Sequence, residues 1–470
     1  MTYAILFIGV VLFLGQVFSS LFEKTRLPDV LPLMVLGMII GPILKIVTPD
    51  SFGQAGQIFT TLALIVVLFK SGIDFKISSL RGAVGQGLLL TTVCFVFIMV
   101  GIAYTCRILL GVSPILSFII GAIVADNSTA IITPMLAKLN ISEKSKTILF
   151  LEANLTGVYS IIIALALLSL AVKGGTLSAG NVSWQIFRSF AIGIGFSLIA
   201  GVFWMGVLNM VRKLENAISL TFAFVLLVYS VSELIGGDGA IATLTFGIVA
   251  GNIRLIRRVW FNKLEFIELK GHALKSGEKD FFDEVEFIFK TLFFVYMGIA
   301  MRIGRVDLVF YGALLALVKL VMRVPAVNYC VGKSISRSDC SVMLAMCPNG
   351  LVSAVLAAMI AQQLPGEGAV LQDVIYSVIF FTVIFSNFMS FRIEKGGLAW
   401  LGATAFKRHA DVPLESAAPE SSAGDASEPV PAQPGKDPSG PTAAGAEGEP
   451  APTAQTAPPS EPPEDGSSNH

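Results

Sequence analysis

Thirteen blocks of apolar residues follow one another between Tyr3 and Phe391, each long enough to cross a bilayer as a helix. About 18–25 residues span the hydrocarbon core in that form. This succession restricts the chain to an all-α, multi-pass membrane fold. More than half of its residues (54%) are hydrophobic and 14% are charged, where a soluble domain carries about a quarter charged residues. Formal net charge is zero, so bulk charge gives no argument for a nucleic-acid partner. The start, Met1-Thr2-Tyr3, lacks a basic n-region, and residues 3–22 are expected to be the first membrane helix rather than a cleaved leader.

An odd number of spans places the two termini on opposite sides. With the N-terminus outside, the inner loops carry Lys24 and Arg26, Lys76 and Arg81, Lys138, Lys144 and Lys146, Arg212 and Lys213, and the basic segment 254–283. The outer loops carry few, among them Arg107, Lys173, Arg302 and Arg305. That asymmetry follows the positive-inside rule and assigns an inner (plasma) membrane topology with a cytoplasmic C-terminus. Two regions result: a transmembrane domain over 1–395 and a tail over 411–470. The tail holds eleven acidic residues against the single Lys436, with abundant Pro, Ala and Ser. It is too polar to bury a core and is expected to be disordered. Segment 254–283 reads as a solvated connector, with an amphipathic surface helix as the alternative.

The fifth block, 114–138, is interrupted at its centre by Ala125-Asp126-Asn127-Ser128-Thr129. A carboxylate at that depth is costly, and such groups usually face a cavity on a solute path. Half-helix ends and freed carbonyls at a break suit a small ion. The sixth block carries Glu152-Ala153-Asn154-Leu155-Thr156-Gly157. The twelfth, 339–362, is interrupted at Pro348-Asn349-Gly350, where Pro removes a donor and Gly accepts unusual backbone angles. Enzymatic chemistry has no support: there is no nucleophile–base set, and the glycine-rich segment Gly236-Gly237-Asp238-Gly239 lacks a P-loop ending. The five cysteines show no CxxC spacing and read as small core residues. No metal centre or cofactor is called for. The three histidines lie outside the apolar blocks, so no imidazole relay crosses the membrane.

Further patterns are Arg26-Leu27-Pro28-Asp29 leading into Gly37-Met38-Ile39-Ile40-Gly41-Pro42, then Leu68-Phe69-Lys70-Ser71-Gly72-Ile73-Asp74, then Gly236-Gly237-Asp238-Gly239 running to Gly251-Asn252. In order and spacing, the chain over residues 5–391 resembles the monovalent cation:proton antiporter family of sodium/proton exchangers and their potassium-handling relatives. The resemblance implies two inverted repeats, a panel domain that forms a homodimer, and a mobile core in which the fifth and twelfth helices break and cross beside the ion. It implies exchange of Na+ or K+ for H+ by alternating access. It also implies a structural ion pair between Glu152 and Arg323 on the eleventh helix.

The chain departs from that family on the fifth helix, where many relatives place Thr-Asp-Pro or Thr-Ser-Ser for Asn127-Ser128-Thr129 and a small residue for Asp126, and at two further positions. Gly157 stands where relatives place the exchanging Asp, and Asn349 stands where many carry Arg. Two readings follow. In one the acid has moved: Asp126 carries the proton or the cation, and Asn127, Ser128, Thr129, Asn154 and Thr156 add the oxygen ligands that hard cations prefer. In the other, Asp126 caps the second half-helix or makes a structural pair, and the protein is a same-fold transporter or channel without standard proton coupling, or a non-transporting sensor. The remaining membrane charges have plain assignments. Lys70 and Lys45 are expected to reach the interface. Lys290 is expected to pair with Glu286, its i−4 neighbour, and Lys319 to pair with an acid or reach the headgroups. Pro134 is expected to end the second half of the fifth helix.

Overall fold

The computed structural model describes residues 2–25, 29–49, 53–75, 84–139, 141–173, 179–211, 217–256, 276–333, 335–394 and 404–409. Fifteen α-helices and one π turn fill these segments. Six helical stretches are long and apolar enough to cross a membrane: Gly87–Leu110, Pro114–Leu136, Glu143–Val172, Phe187–Leu208, Val306–Cys330 and Glu367–Ile393. Shorter apolar helices include Ile5–Leu21, Val30–Ile43, Ser219–Leu234, Gly239–Ile253 and Leu351–Gln363. The acidic tail and most of the basic connector, 257–275, lie outside the described residues.

Helix α1 (Thr2–Thr25) precedes α2 (Val30–Met38), which continues into a π turn, Ile39–Ile43, at Pro42. A proline ring clashes with the carbonyl four residues back, and the wider turn relieves that clash. Helix α3 (Gly53–Asp74) packs on α10 (Gly239–Ile256), and α2 packs on α11 (Ser276–Ala300). Both contacts are built on facing glycines. A Cβ added to Gly72 would lie 2.8 Å from the Cα of Gly247, and one added to Gly37 would lie 2.9 Å from that of Gly298. Small residues let helix backbones approach this closely, which is how helices associate where lipid removes the hydrophobic drive. Gly247→Val is therefore expected to lower stability by about 1–3 kcal/mol through forced separation of α3 and α10. An unchanged thermal unfolding temperature in detergent would refute this.

Beside this contact, Phe69 of α3 stacks on Phe246 with ring centroids 5.4 Å apart and meets Phe282 edge-on at 4.9 Å. Helix α8 (Ala179–Val211) joins them through Trp204, which stacks 4.3 Å from Phe224 of α9 (Ala217–Leu234). A second group holds α4 (Val84–Leu110), α5 (Pro114–Val124), α6 (Thr129–Lys138), α7 (Glu143–Lys173), α12 (Val306–Cys330), α13 (Arg337–Ala345), α14 (Leu351–Gln363) and α15 (Glu367–Glu394). Within it α4 packs on α5, α7 and α12, and α15 packs on α12 and α14. All five cysteines are buried free thiols, as expected of core residues.

Three expectations need correction. Pro134 does not end α6, which runs on to Lys138. The proline falls one turn into the helix and removes only a bond to an early carbonyl. Lys290 pairs with Asp29 at 2.7 Å rather than with Glu286, because α2 delivers its N-terminal carboxylate to the flank of α11. Lys70 does not snorkel: it bonds Asp74 at 2.8 Å and Asp283 at 2.6 Å. Residues 404–409 fold back onto the bundle. Phe406 is fully buried, and Arg337 at the start of α13 donates to the His409 carbonyl at 2.8 Å.

Candidate functional site

Two interrupted spans meet at the centre of the second helix group. Helix α5 is opened by Ser113, whose hydroxyl accepts from the Leu116 N–H at 3.3 Å, and by Pro114 at the first helical position. Its helical run stops at Val124, and α6 begins at Thr129. Helix α13 is opened by Ser336, which accepts from the Asp339 N–H at 3.0 Å. It stops at Ala345, and α14 begins at Leu351. The breaks join directly: the Ser128 N–H donates to the Pro348 carbonyl at 2.8 Å. Gly350 permits this contact, since a Cβ there would run into the Ser128 hydroxyl.

A helix ending inside a membrane protein exposes carbonyls that need donors. Asn349 supplies them. Its Nδ2 lies 3.2 Å from the Ile123 carbonyl, 3.1 Å from that of Val124, 2.9 Å from that of Asp126 and 3.0 Å from the Ser353 hydroxyl. An amide has two hydrogens, so four acceptors share them. Lys319 of α12 adds a charged donor, with Nζ 2.7 Å from the Asp126 carbonyl and 2.9 Å from Asn349 Oδ1. Its side chain is fully buried, so the expectation that it reaches the headgroups is wrong.

The Asp126 carboxylate is also buried. Its Oδ2 accepts from the Ser353 hydroxyl of α14 at 2.9 Å. Its Oδ1 points at α7, where a Cβ added to Gly157 would lie 3.5 Å away. Helix α6 is entered through Ser128, and no side chain caps it. Capping is therefore not the task of Asp126. Next along the break, the Asn127 N–H donates to the Thr156 hydroxyl at 3.2 Å and Nδ2 donates to Glu152 at 3.2 Å. Asn127 Oδ1 is buried with no hydrogen-bond partner.

Glu152 and Arg323 form the expected pair. Arg323 Nη2 donates to Oε2 at 2.7 Å and Nη1 donates to Oε1, while Nε reaches the Met343 carbonyl of α13 at 2.8 Å. Both side chains are essentially inaccessible to solvent. This parallel two-bond geometry is the strong form of the interaction. It leaves the pair internally satisfied and set back from open space.

A cavity of about 340 Å³ lies between the two helix groups. One side is lined by Asp126, Asn127, Ser128, Thr129, Asn154 and Gly157. The facing side carries Lys70, Ser71 and Asp74 of α3 and Glu286 of α11. Five of the six ligands expected from sequence thus share one wall. Thr156 is the exception: its hydroxyl serves the Asn127 N–H and the Ala153 carbonyl, so it braces the site instead of facing it. Asn154 spends its amide hydrogens partly on the Phe150 carbonyl at 2.7 Å. Sequence reasoning missed Ser353 and gave Lys319 a peripheral place. A lysine one turn before Arg323 on the same apolar helix was the available signal for Lys319. Ser353 had none, because only the crossover brings α14 to Asp126.

The sequence profile described as "Sodium/hydrogen exchanger, transmembrane" matches residues 9–393. The chain belongs to the sodium/hydrogen exchanger family. That family consists of secondary transporters, not enzymes. Among exchanger relatives, Na(+)/H(+) antiporter 1 of Methanocaldococcus jannaschii is 25% identical over 210 residues, covering 41% of this chain and 49% of its own. The chain thus spans about half the length of that relative. The Na(+)/H(+) antiporter ApNhaP of Aphanothece halophytica is 22% identical over 385 residues, 78% of this chain and 70% of its own. The K(+)/H(+) antiporter NhaP2 of Shewanella oneidensis is 24% identical over 212 residues, covering 43% and 36%. In three dimensions the chain resembles the sodium proton antiporter MjNhaP1 of M. jannaschii, with a TM-score of 0.65 at 20% identity over 86% of this chain and 99% of that one. This likeness establishes a shared exchanger fold.

Proposed function

We propose that the protein exchanges a monovalent cation, Na+ or K+, for protons across the membrane, with both competing for Asp126. One observation carries this reading. The Asp126 carboxylate lies beside Gly157, with Oδ1 3.5 Å from where a Cβ on α7 would stand, and it borders the cavity. The acid absent from α7 is thereby supplied from the neighbouring break. Asn127 Oδ1, buried and unpartnered, is a ready oxygen ligand beside it. Buried acceptors normally have partners, and a desolvated cation is a suitable one. The hydroxyls of Ser128 and Thr129 and the amide of Asn154 complete an oxygen-rich wall of the kind hard cations take.

The packing supports a further reading as two inverted repeats. The contact of α2 with α11 matches that of α3 with α10 in its facing glycines, and the break after α5 matches the break after α13. On this reading α4–α7 and α12–α15 form the mobile core, the other helices form a panel that dimerises, and the cavity marks the sliding boundary. Basic-residue placement puts the N-terminus outside and the C-terminus in the cytoplasm, so the ends of α3 and α11 that carry Asp74 and Glu286 face inward. Lipids surround the apolar faces. A single exchanging carboxylate makes the cycle one cation for one proton, hence electroneutral.

The test is transport in proteoliposomes. With a pH gradient imposed, added Na+ or K+ is expected to move internal pH in wild type and not in Asp126→Asn. Equal proton movement in the variant would place the exchanging group elsewhere. No movement with any cation in wild type would favour an uncoupled transporter or a sensor.

A further inference from the structure

The mechanism above uses the carboxylate of Asp126 and leaves one fully buried charge without a task. Lys319 stands on α12, one turn before Arg323, with no solvent exposure. Arg323 is fully engaged by Glu152 and the Met343 carbonyl. The Lys319 ammonium is not bonded to the Asp126 carboxylate, whose Oδ2 takes the Ser353 hydroxyl. It instead bonds the main-chain carbonyl of the same residue at 2.7 Å and Asn349 Oδ1 at 2.9 Å. One side chain thus holds the first break by its backbone and the second break by its amide.

We infer that Lys319 is a positioning residue for exchange, tying the two broken spans into one unit and fixing the backbone of Asp126 so that its carboxylate faces the cavity. The inference rests on the reading of Asp126 as the exchanging acid. Its physical basis is twofold. The carbonyls ending α5 carry the partial negative charge of a helix C-terminus, which a cation stabilises. A charge-assisted bond to a carbonyl in a dry site is also stronger and shorter than a neutral one. Asn349 alone cannot replace it, because its two amide hydrogens are already shared among four acceptors. With the ammonium in place Asn349 keeps its Oδ1 directed at Lys319 and its Nδ2 at α5. Without it, Asn349 Oδ1 is left buried with no donor, and the Asp126 carbonyl loses its closest one.

The neighbouring charged groups are Asp126 on the break, Glu152 on α7 and Arg323 on α12, with the Cys347 thiol on the second break. Glu152 and Arg323 satisfy one another, so deleting the Lys319 charge leaves their pair intact. The defect expected is therefore one of site geometry, read as cation affinity, and not a collapse of the bundle.

The experiment measures exchange in proteoliposomes as a function of cation concentration for wild type, Lys319→Met, Lys319→Arg and Asp126→Asn, with thermal unfolding of each in detergent. Lys319→Met is expected to raise the half-saturating cation concentration by about tenfold or more, the size of one charge-assisted bond. Lys319→Arg, which keeps charge and donors, should stay within about threefold of wild type. A Lys319→Met protein with wild-type half-saturation and only a lower unfolding temperature would overturn the inference while leaving Asp126 in place. Full exchange by Asp126→Asn would overturn both. Should Lys319→Met fail to fold, the comparison of Lys319→Arg with Lys319→Gln decides: equal half-saturation in those two would show that the charge positions nothing.

Discussion

Adding Gly157→Asp to the inactive Asp126→Asn variant is expected to restore exchange. The single Asp126→Asn change should reduce cation-driven proton movement about 100-fold, equivalent to about 2.7 kcal/mol of barrier. The double variant returns one carboxylate to nearly the same volume, hung from α7 instead of the break. The backbone at 157 has room for a Cβ, and the rest of the side chain would extend into the cavity beside position 126. A Cβ at position 157 meets only Asp126 Oδ1, at an ordinary contact distance of 3.5 Å, and the cavity lies alongside. The Asn127 oxygen and the Ser128 and Thr129 hydroxyls remain in place for the cation. Gly157→Asp alone should impair exchange, because two carboxylates would crowd one desolvated site and repel. Recovery to within about tenfold of wild type would establish that the acid has moved by one helix. If the double variant is as inactive as Asp126→Asn, the two positions do not share a role.

The second large effect concerns the buried ion pair. Arg323→Met is expected to destabilise the protein by about 3–5 kcal/mol, because Glu152 would be left charged and unpaired inside the bundle. The consequence reaches three elements. Arg323 also holds the Met343 carbonyl of α13, and Glu152 also accepts from Asn127 on the first break. Replacing both members, as Glu152→Gln with Arg323→Met, should recover much of the lost unfolding temperature, since no charge is then stranded. Exchange should stay impaired in that double variant, because the stronger acceptor for the Asn127 amide has gone. Thermal unfolding in detergent, run beside the transport assay, separates the two effects. Strictly additive losses in the two single variants and the double would mean the residues act independently, since coupled neighbours deviate from additivity.

Much of the architecture was legible because it follows from spacing. Apolar blocks of membrane-spanning length give helices, and the two interruptions give breaks at Asp126–Ser128 and Met346–Gly350. The Glu152–Arg323 pair followed from the family resemblance and needed only a packed bundle to form. Local rules failed wherever a charge had a choice of partner. Lys290 had Glu286 one turn away and took Asp29, 261 positions distant in sequence. Lys70 lay near a helix end, yet α11 brought Asp283 to it. In both cases the contacts of α11 decided, and no periodicity encodes them.

The site divides along the same line. Its chemistry was fixed by residue type: an acid, amides and hydroxyls cannot sit at the centre of an apolar span without facing a cavity or partners, because desolvation is too costly. Which of them face the cavity was decided only by the crossing of the two breaks. That crossing turned the Thr156 hydroxyl inward as a brace, brought Ser353 to the Asp126 carboxylate and drew Lys319 to its backbone. Sequence counts donors and acceptors along one chain, whereas a buried polar group takes the partner that packing brings within 3 Å, however far away it lies in the chain.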